Sequence, residues 1–144
     1  AGGRTPNTSH DDVRAALEGL CFQLRKQIGA IGNAVGRAPK RLRVVGGGQK
    51  NPLWLQLKAD ITGLPVEITT NPEVTLLGVA ILAGIGAGLY KNVDNALDQV
   101  SFDTELVEPN ARQHSTYSER FSEIYSPMPS ALARINSAND RLIG

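Results

Sequence analysis

The sequence predicts an α/β fold organised around one strand–turn–helix–strand (βαβ) unit that begins at Arg41. Three observations predict this unit. Leu42, Val44 and Val45 form an alternating, β-branched run that suits a strand. Three consecutive glycines follow, and after them comes a helical pattern of apolar residues. A second strand is then predicted from Pro65 to Thr69.

The helix of this unit is predicted from its start and stop signals. Asn51 is a typical N-cap residue, and Pro52 fits the first helical position. Gly63 matches the left-handed residue that ends many helices. The apolar positions recur at spacings of one, three and four, and so line one face: Leu53, Trp54, Leu57 and Ile61.

Helices are also predicted on both sides of the unit. Ser9 with Asp12 three positions later indicates an N-cap. Apolar residues recur every three or four positions from Val13 to Val35, which predicts a long amphipathic helix of about six turns. After the second strand, Asn71, Pro72 and Glu73 predict the start of a helix that runs to about Leu89.

The last third of the chain predicts shorter elements. Residues 92–100 indicate a short polar helix or turn, and residues 101–108 an edge strand or an extended arm. Pro109 and Asn110 break the chain, and a last apolar helical face is predicted after them. Two prolines interrupt this face, and it then resumes. Its residues are Tyr117, Phe121, Ile124 and Tyr125, then Pro127 and Pro129, then Leu132 and Ile135.

Length and composition predict one domain in a reducing compartment, which we expect to be the cytoplasm. The chain has 144 residues and a formal net charge of +1, so its charge gives no reason to expect nucleic acid or an anionic membrane as a partner. Cys21 is the single cysteine, which excludes an intramolecular disulfide. No N-terminal segment shows the pattern of an export signal.

One apolar run has two interpretations. Val74 to Tyr90 contains no charged residue, so a membrane span is conceivable. The run is short for that role, and its glycines allow close packing against another element. A helix buried against a sheet is therefore the interpretation that we prefer, and no membrane association is predicted.

The sequence indicates no catalytic centre and no metal site of its own. His10 and His114 have no acidic or thiol partner at ligand spacing. Cys21 lies on the apolar stripe of the first helix, where a small core residue is expected. No grouping of serine, histidine and aspartate indicates a triad. The carboxylates are expected to be structural: Glu18, Asp60 and Glu73.

The glycine turn, Gly46 to Gly48, is the exception. It does not match the dinucleotide fingerprint, because Asn51 stands where a third glycine is required, and it lacks the glycine before Lys50 that a P-loop needs. Two interpretations remain open on the residues alone. The segment is either a tight turn without a ligand, or a place where a flat or charged group lies against bare backbone.

The segment from the glycine turn onward resembles the adenosine-binding region of the FGGY family of carbohydrate kinases, which includes xylulokinase, glycerol kinase and ribulokinase. The resemblance extends upstream and downstream over almost the whole chain, in one order. The matching residues are the glycine run with Asn51, Gln56, Ala59, Asp60, Gly63, Pro65, Val66, and Glu73 to Gly78; upstream His10, Arg14, Leu17, Glu18 and Gly19; downstream Pro109, Tyr117 and Phe121.

The resemblance implies part of a ribonuclease-H-like (actin/hexokinase-type) domain, with a βαβ core and several packing helices. Residues 1–144 would form the C-terminal part of the second, nucleotide-binding domain, and the N-terminal sugar-binding and catalytic domain would lie outside this chain. Gly47, Gly48 and Asn51 would cradle the adenine and ribose of ATP, with Gly46 and Gln49 flanking them. Gln49 departs from the family pattern, in which a small residue is usual.

The function implied is transfer of the ATP γ-phosphate to a carbohydrate or polyol hydroxyl by the full-length protein, with Mg²⁺ bridging the phosphates. No catalytic, sugar-contacting or metal residue of the family is matched here, so the chain alone is expected to be inactive. We expect the isolated chain to expose apolar surface and to self-associate. The alternative is a non-catalytic actin-like binding or regulatory module.

Overall fold

A computed structural model of the protein describes residues 9–69, 73–100 and 103–133. These residues form five α-helices, three strands, one 3₁₀ turn and one π-helical turn, and residues 128–133 are also helical. In chain order these are α1 (Ser9–Val35), β1 (Leu42–Val44), a 3₁₀ turn (Gly47–Lys50), α2 (Pro52–Thr62), β2 (Val66–Thr69), α3 (Val74–Gly86), α4 (Val93–Leu97), β3 (Thr104–Val107), α5 (Ala111–Arg120) and a π-helical turn (Phe121–Tyr125).

The predicted βαβ unit is confirmed. Strands β1 and β2 are parallel, with Leu42 opposite Val66, and α2 connects them. Strand β3 pairs antiparallel with β2, with Val107 opposite Val66. The edge-strand alternative is therefore the correct one for Thr104–Val107, and the described sheet has three strands in the order β1-β2-β3.

Helix α2 lies at the centre of the molecule because two of its faces are apolar. One face packs on the sheet through Leu55 and Ala59, which contact Val66. The other face packs against α1 and α5, in a core formed by Cys21, Phe22, Leu57, Ile61 and Tyr117. Cys21 is 1% exposed, which confirms the prediction that it is a core residue. Burial of these two faces is the main stabilising term that fixes the βαβ unit against its helices.

Glycines with positive φ follow two of the helices, and the one at Gly63 was predicted. Gly36 has φ 73° and follows α1. Gly63 has φ 72° and caps α2, where its N–H donates to the carbonyl of Ala59 at 2.8 Å. Both angles lie in the left-handed region, which costs a residue with a Cβ about 1–2 kcal/mol.

The prediction that the apolar run of residues 74–90 is buried against the sheet is wrong. Helix α3 packs mainly on α4, and only Ile81 and Gly84 of α3 are buried. The physical reason is that α2 already covers one face of the sheet, while charged residues occupy the other. In the described part of the chain, no helix is long and apolar enough to cross a membrane. The exposed apolar residues of this region are Leu76, Val79, Leu82 and Leu89.

Smaller differences concern element ends. Helix α1 is 27 residues long, so it exceeds the predicted six turns, and Ser9 lies within its bounds. The break predicted near Pro127 is a turn at 126–127, and residues 128–133 are helical again, so Pro129 does not interrupt them. Residues 1–8, 70–72, 101–102 and 134–144 lie outside the described part. The predicted helix-start residues Asn71 and Pro72 therefore lie outside it. Ile135, of the last predicted helical face, lies outside it too.

Candidate functional site

The glycine turn leaves β1 through a backbone conformation that only glycine adopts readily. Gly46 has φ 80° and ψ −161°. The N–H of Gln49 donates to the carbonyl of Gly46 at 3.1 Å, which closes a 3₁₀ turn over Gly47–Lys50. Two of the three glycines thus lie within a 3₁₀ turn that leads into α2, a turn type that the sequence does not predict.

Asn51 is the N-cap of α2, as predicted. Its Oδ1 accepts from the N–H of Trp54 at 3.1 Å, and its carbonyl accepts from the N–H of Leu55 at 3.1 Å. Asn51 is exposed, and its side-chain NH₂ group has no hydrogen-bond partner among the described residues. The cap therefore uses the acceptor of this side chain and leaves its donor available to a ligand.

Gly47 and Gly48 differ in what lies around them. A Cβ built at Gly47 meets no atom within 4 Å, and Gly47 is exposed, so its backbone is open to solvent. A Cβ built at Gly48 would lie 3.3 Å from Cζ3 of Trp54. One glycine thus presents bare backbone outward, and the next lies directly on an indole ring.

The residues beneath the turn were not predicted to be part of a site. Nζ of Lys58 lies 3.5 Å from the centroid of the Trp54 ring, and Lys58 is 8% exposed. Burial lowers the pKa of Lys58 and raises that of the Cys21 thiol, which the nearby Lys58 charge offsets in part. The sequence signal was present, because residues 54 and 58 are four apart on one helix and so lie on the same side.

Three buried polar atoms near this turn make no hydrogen bond of ordinary geometry among the described residues, although the Trp54 side chain interacts with the Cys21 thiol and acts to lower its pKa. They belong to Gln49, Trp54 and Lys58: Oε1, Nε1 and Nζ, respectively. The buried Oε1 shows that the Gln49 side chain extends inward. Gln49 therefore keeps its long side chain away from the exposed backbone of Gly47, although the family pattern has a small residue there.

The residues set aside in the sequence have structural partners. Nδ1 of His114 donates to the carbonyl of Asp60 at 2.8 Å. Oδ1 of Asp60 accepts from the N–H of Asn110 at 2.8 Å. Glu18 accepts from the hydroxyl of Tyr117 at 2.7 Å. Within ranges 9–69, 73–100 and 103–133, no group of three histidines, cysteines or carboxylates is arranged to hold a metal ion.

The face of the sheet opposite α2 carries an ion cluster. Glu67 is 2% exposed and accepts from Nη1 of Arg41 at 2.6 Å and from Nε of Arg43 at 2.9 Å. Burial acts to raise the pKa of Glu67, but the two arginines outweigh it, so the net effect is a lowered pKa. A cavity of about 460 Å³ adjoins this cluster and is lined also by Thr69 and Leu97.

The family of this chain is shown by its similarity to known proteins. The model of the FGGY family of carbohydrate kinases, C-terminal domain, matches residues 1–87, which include α1, the glycine turn, α2 and all of α3. The chain belongs to the FGGY family. A xylulose kinase from Staphylococcus epidermidis is 32% identical over 116 residues, which are 81% of this chain and 23% of the relative.

Solved structures of FGGY kinases have the same fold. A xyloylose kinase from Brucella ovis superposes with a TM-score of 0.73 at 24% identity, over 92% of this chain and 27% of the other. The glycerol kinase from Plasmodium falciparum, solved with ADP, gives a TM-score of 0.62 at 28% identity, over 87% of this chain and 26% of the other. The predicted class, part of a ribonuclease-H-like α/β domain, is confirmed.

The FGGY chain described here spans about a quarter of the length of these relatives. The structure brings four of the five predicted site residues, Gly46 to Gln49, into one turn, and places Asn51 immediately after it as the cap of α2. It also places Trp54 and Lys58 directly under that turn, which the sequence analysis missed.

Proposed function

We propose that this chain is the adenosine-binding portion of a sugar or polyol kinase, in the C-terminal part of its second domain. In the full-length protein, ATP would be bound at the glycine turn and its γ-phosphoryl group transferred to a carbohydrate hydroxyl. Membership of the FGGY family supports the reaction class. The fold shared with a glycerol kinase solved with ADP supports a nucleotide as ligand.

The observation that carries the proposal is the open backbone of the turn next to a free donor. Gly47 has no atom within 4 Å of the position of a Cβ, so a flat base can approach the peptide plane closely. The NH₂ group of Asn51 is exposed and can donate to a ring nitrogen or a ribose oxygen. The exposed Lys50 adds a positive charge beside an anionic nucleotide.

The remaining groups that the reaction needs would come from outside the described residues. The two carboxylates nearest in sequence to the turn, Asp60 and Glu67, are buried and hydrogen-bonded within the fold. These two carboxylates are therefore engaged within the fold, and the described part of the chain holds no group of three histidine, cysteine or carboxylate side chains arranged for a metal ion. A base elsewhere in the protein would accept the proton of the substrate hydroxyl. On this proposal the chain alone binds nucleotide without transferring phosphate.

Substitutions at Asn51 test the proposal, because they separate the helix cap from the ligand contact. Asn51→Ser keeps an acceptor for the N–H of Trp54 but removes the NH₂ donor. Asn51→Ala removes both, and loss of the cap costs about 1 kcal/mol. In the native protein that contains this sequence, we expect both variants to raise the KM for ATP by about tenfold, which corresponds to about 1.4 kcal/mol. The KM for the carbohydrate should stay within twofold or so.

Stability provides the control for this experiment. Only Asn51→Ala should lower the urea midpoint clearly, because serine is nearly as good a cap as asparagine. If Asn51→Ser leaves the KM for ATP unchanged while Asn51→Ala lowers stability, Asn51 is a cap alone, and the adenosine site is not here. Absence of any nucleotide binding by the native protein would favour the non-catalytic module instead.

A further inference from the structure

We infer that Trp54 is a positioning residue of the nucleotide site, held by Lys58, and that it fixes the position of the Gly48 backbone on which the base lies. This inference rests on the proposed function and names a residue that acts through the turn without touching the nucleotide. Four observations on one side of the glycine turn carry it.

The first observation is direct contact. A Cβ at Gly48 would lie 3.3 Å from Cζ3 and 3.7 Å from Cε3 of Trp54, so the Gly48 backbone rests on the six-membered part of the indole. That distance is tighter than an ordinary van der Waals contact, so with a residue larger than glycine the ring or the turn would have to shift by a few tenths of an ångström. The ring therefore limits how far the turn can move inward.

The second observation is that Trp54 is also bonded to the helix cap through its own backbone. The backbone N–H of Trp54 donates to Oδ1 of Asn51 at 3.1 Å. Trp54 thus holds both sides of the proposed site, Gly48 through its ring and Asn51 through its backbone. A shift of the ring would move the platform while the cap stays in place, because the cap depends on the backbone alone.

The third observation is the lysine that lies over the ring. The ammonium of Lys58 lies 3.5 Å from the ring centroid, a cation–π contact. Lys58 is 8% exposed, and its Nζ has no hydrogen-bond partner among the described residues. A buried ammonium without an acceptor is unfavourable for folding. Replacement by an apolar side chain would relieve that cost but would also remove the cation–π contact, so the two effects on fold stability oppose each other.

The fourth observation is that the ring is held mainly by packing. Nε1 of Trp54 makes no hydrogen bond of ordinary geometry within the described ranges, and its polar neighbour is the Cys21 thiol. The indole packs near Gly48, against the Lys58 ammonium and against the buried core cluster that includes Cys21. A ring held by shape is sensitive to the size and flatness of its replacement.

The test compares Trp54→Phe, Trp54→Leu and Lys58→Met in the native protein, with the KM for ATP, the KM for carbohydrate, kcat and the urea midpoint as readouts. We expect Trp54→Leu to raise the KM for ATP by roughly tenfold, with the KM for carbohydrate and kcat within about twofold. Trp54→Phe keeps a flat ring and should recover most of that loss. Lys58→Met should raise the KM for ATP by about threefold while the urea midpoint is unchanged or higher.

Leu55→Ala is the matched control, because Leu55 is on the same helix, is 4% exposed and packs against the sheet, in a different core cluster from the one that Trp54 contacts. It should lower the urea midpoint and leave the KM for ATP unchanged. The inference is overturned if Trp54→Leu behaves as Leu55→Ala does, or if it raises both KM values equally. If Asn51→Ser raises the KM for ATP and Trp54→Leu does not, this inference fails alone. If neither does, the proposed function fails with it.

Discussion

Gly63→Ala tests how the structure fixes the end of α2. Gly63 has φ 72°, a conformation that costs alanine about 1–2 kcal/mol. A Cβ at this position would also lie 2.8 Å from Nε2 of His114. The imidazole would have to move and give up its hydrogen bond to the carbonyl of Asp60, worth about 1 kcal/mol. Together these effects predict a loss of about 2–3 kcal/mol in the free energy of unfolding.

A matched glycine separates the two contributions. Gly36 has φ 73°, but a Cβ there meets no atom within 4 Å. Gly36→Ala should therefore lose only the backbone part, about 1–2 kcal/mol. Urea unfolding followed by circular dichroism measures both variants, and Trp54, the single tryptophan, gives a second probe. Coincident transitions from the two probes would support a two-state treatment.

A double-mutant cycle with His114→Ala identifies the contact itself. Removing the imidazole makes room for the new methyl group, so Gly63→Ala should cost about 1 kcal/mol less in the His114→Ala background. If the two substitutions are additive to within about 0.5 kcal/mol, the ring does not restrict this site. Equal losses for Gly63→Ala and Gly36→Ala would refute the reasoning in the same way.

Two further predictions concern charge and association. The folded-state pKa of Glu67 lies below its ordinary value of 4.5, so its contribution to stability is fully present above pH 4.5 and is lost as the pH falls through the lowered pKa. Urea midpoints measured across this range should fall less steeply with acid for Glu67→Gln, and parallel curves would contradict the ion cluster. Leu76 and Leu82 are 63% and 65% exposed on α3, so the isolated chain should self-associate and Leu82→Lys should shift it toward monomer in sedimentation velocity. An unchanged distribution would remove α3 from that contact.

The βαβ unit could be predicted from the sequence because its signals are local. Asn51, Pro52 and Gly63 specify both ends of α2, and the spacing of Leu57 and Ile61 specifies its core face. Local signals do not predict which other element a helix packs against. Residues 74–86 are apolar on every side, and that pattern predicts burial without saying against what. The sheet face that would have received them carries Arg43 and Glu67, which pair across the strands.

The sequence predicted the glycine turn and Asn51 of the candidate site, but it did not predict that Trp54 and Lys58 lie beside the turn. Glycines and a capping asparagine are visible as residue types, so the turn could be located. The stack of Gly48, Trp54 and Lys58 depends on how the 3₁₀ turn folds back over α2, which no local pattern specifies. The engagement of Oδ1 of Asn51 could be predicted, because an N-cap asparagine uses its side-chain oxygen in this way.

The most direct test of the central claim is hydrogen exchange of the native protein with and without ADP, measured by mass spectrometry on peptides that cover Gly46–Asn51. The account predicts slower exchange in these peptides when ADP is present, because the nucleotide would cover the exposed amides of the turn. Peptides from α3 should be unchanged and serve as the internal reference. Equal exchange at 46–51 with and without ADP, while ADP protects another part of the protein, would contradict the placement of adenosine on the glycine turn.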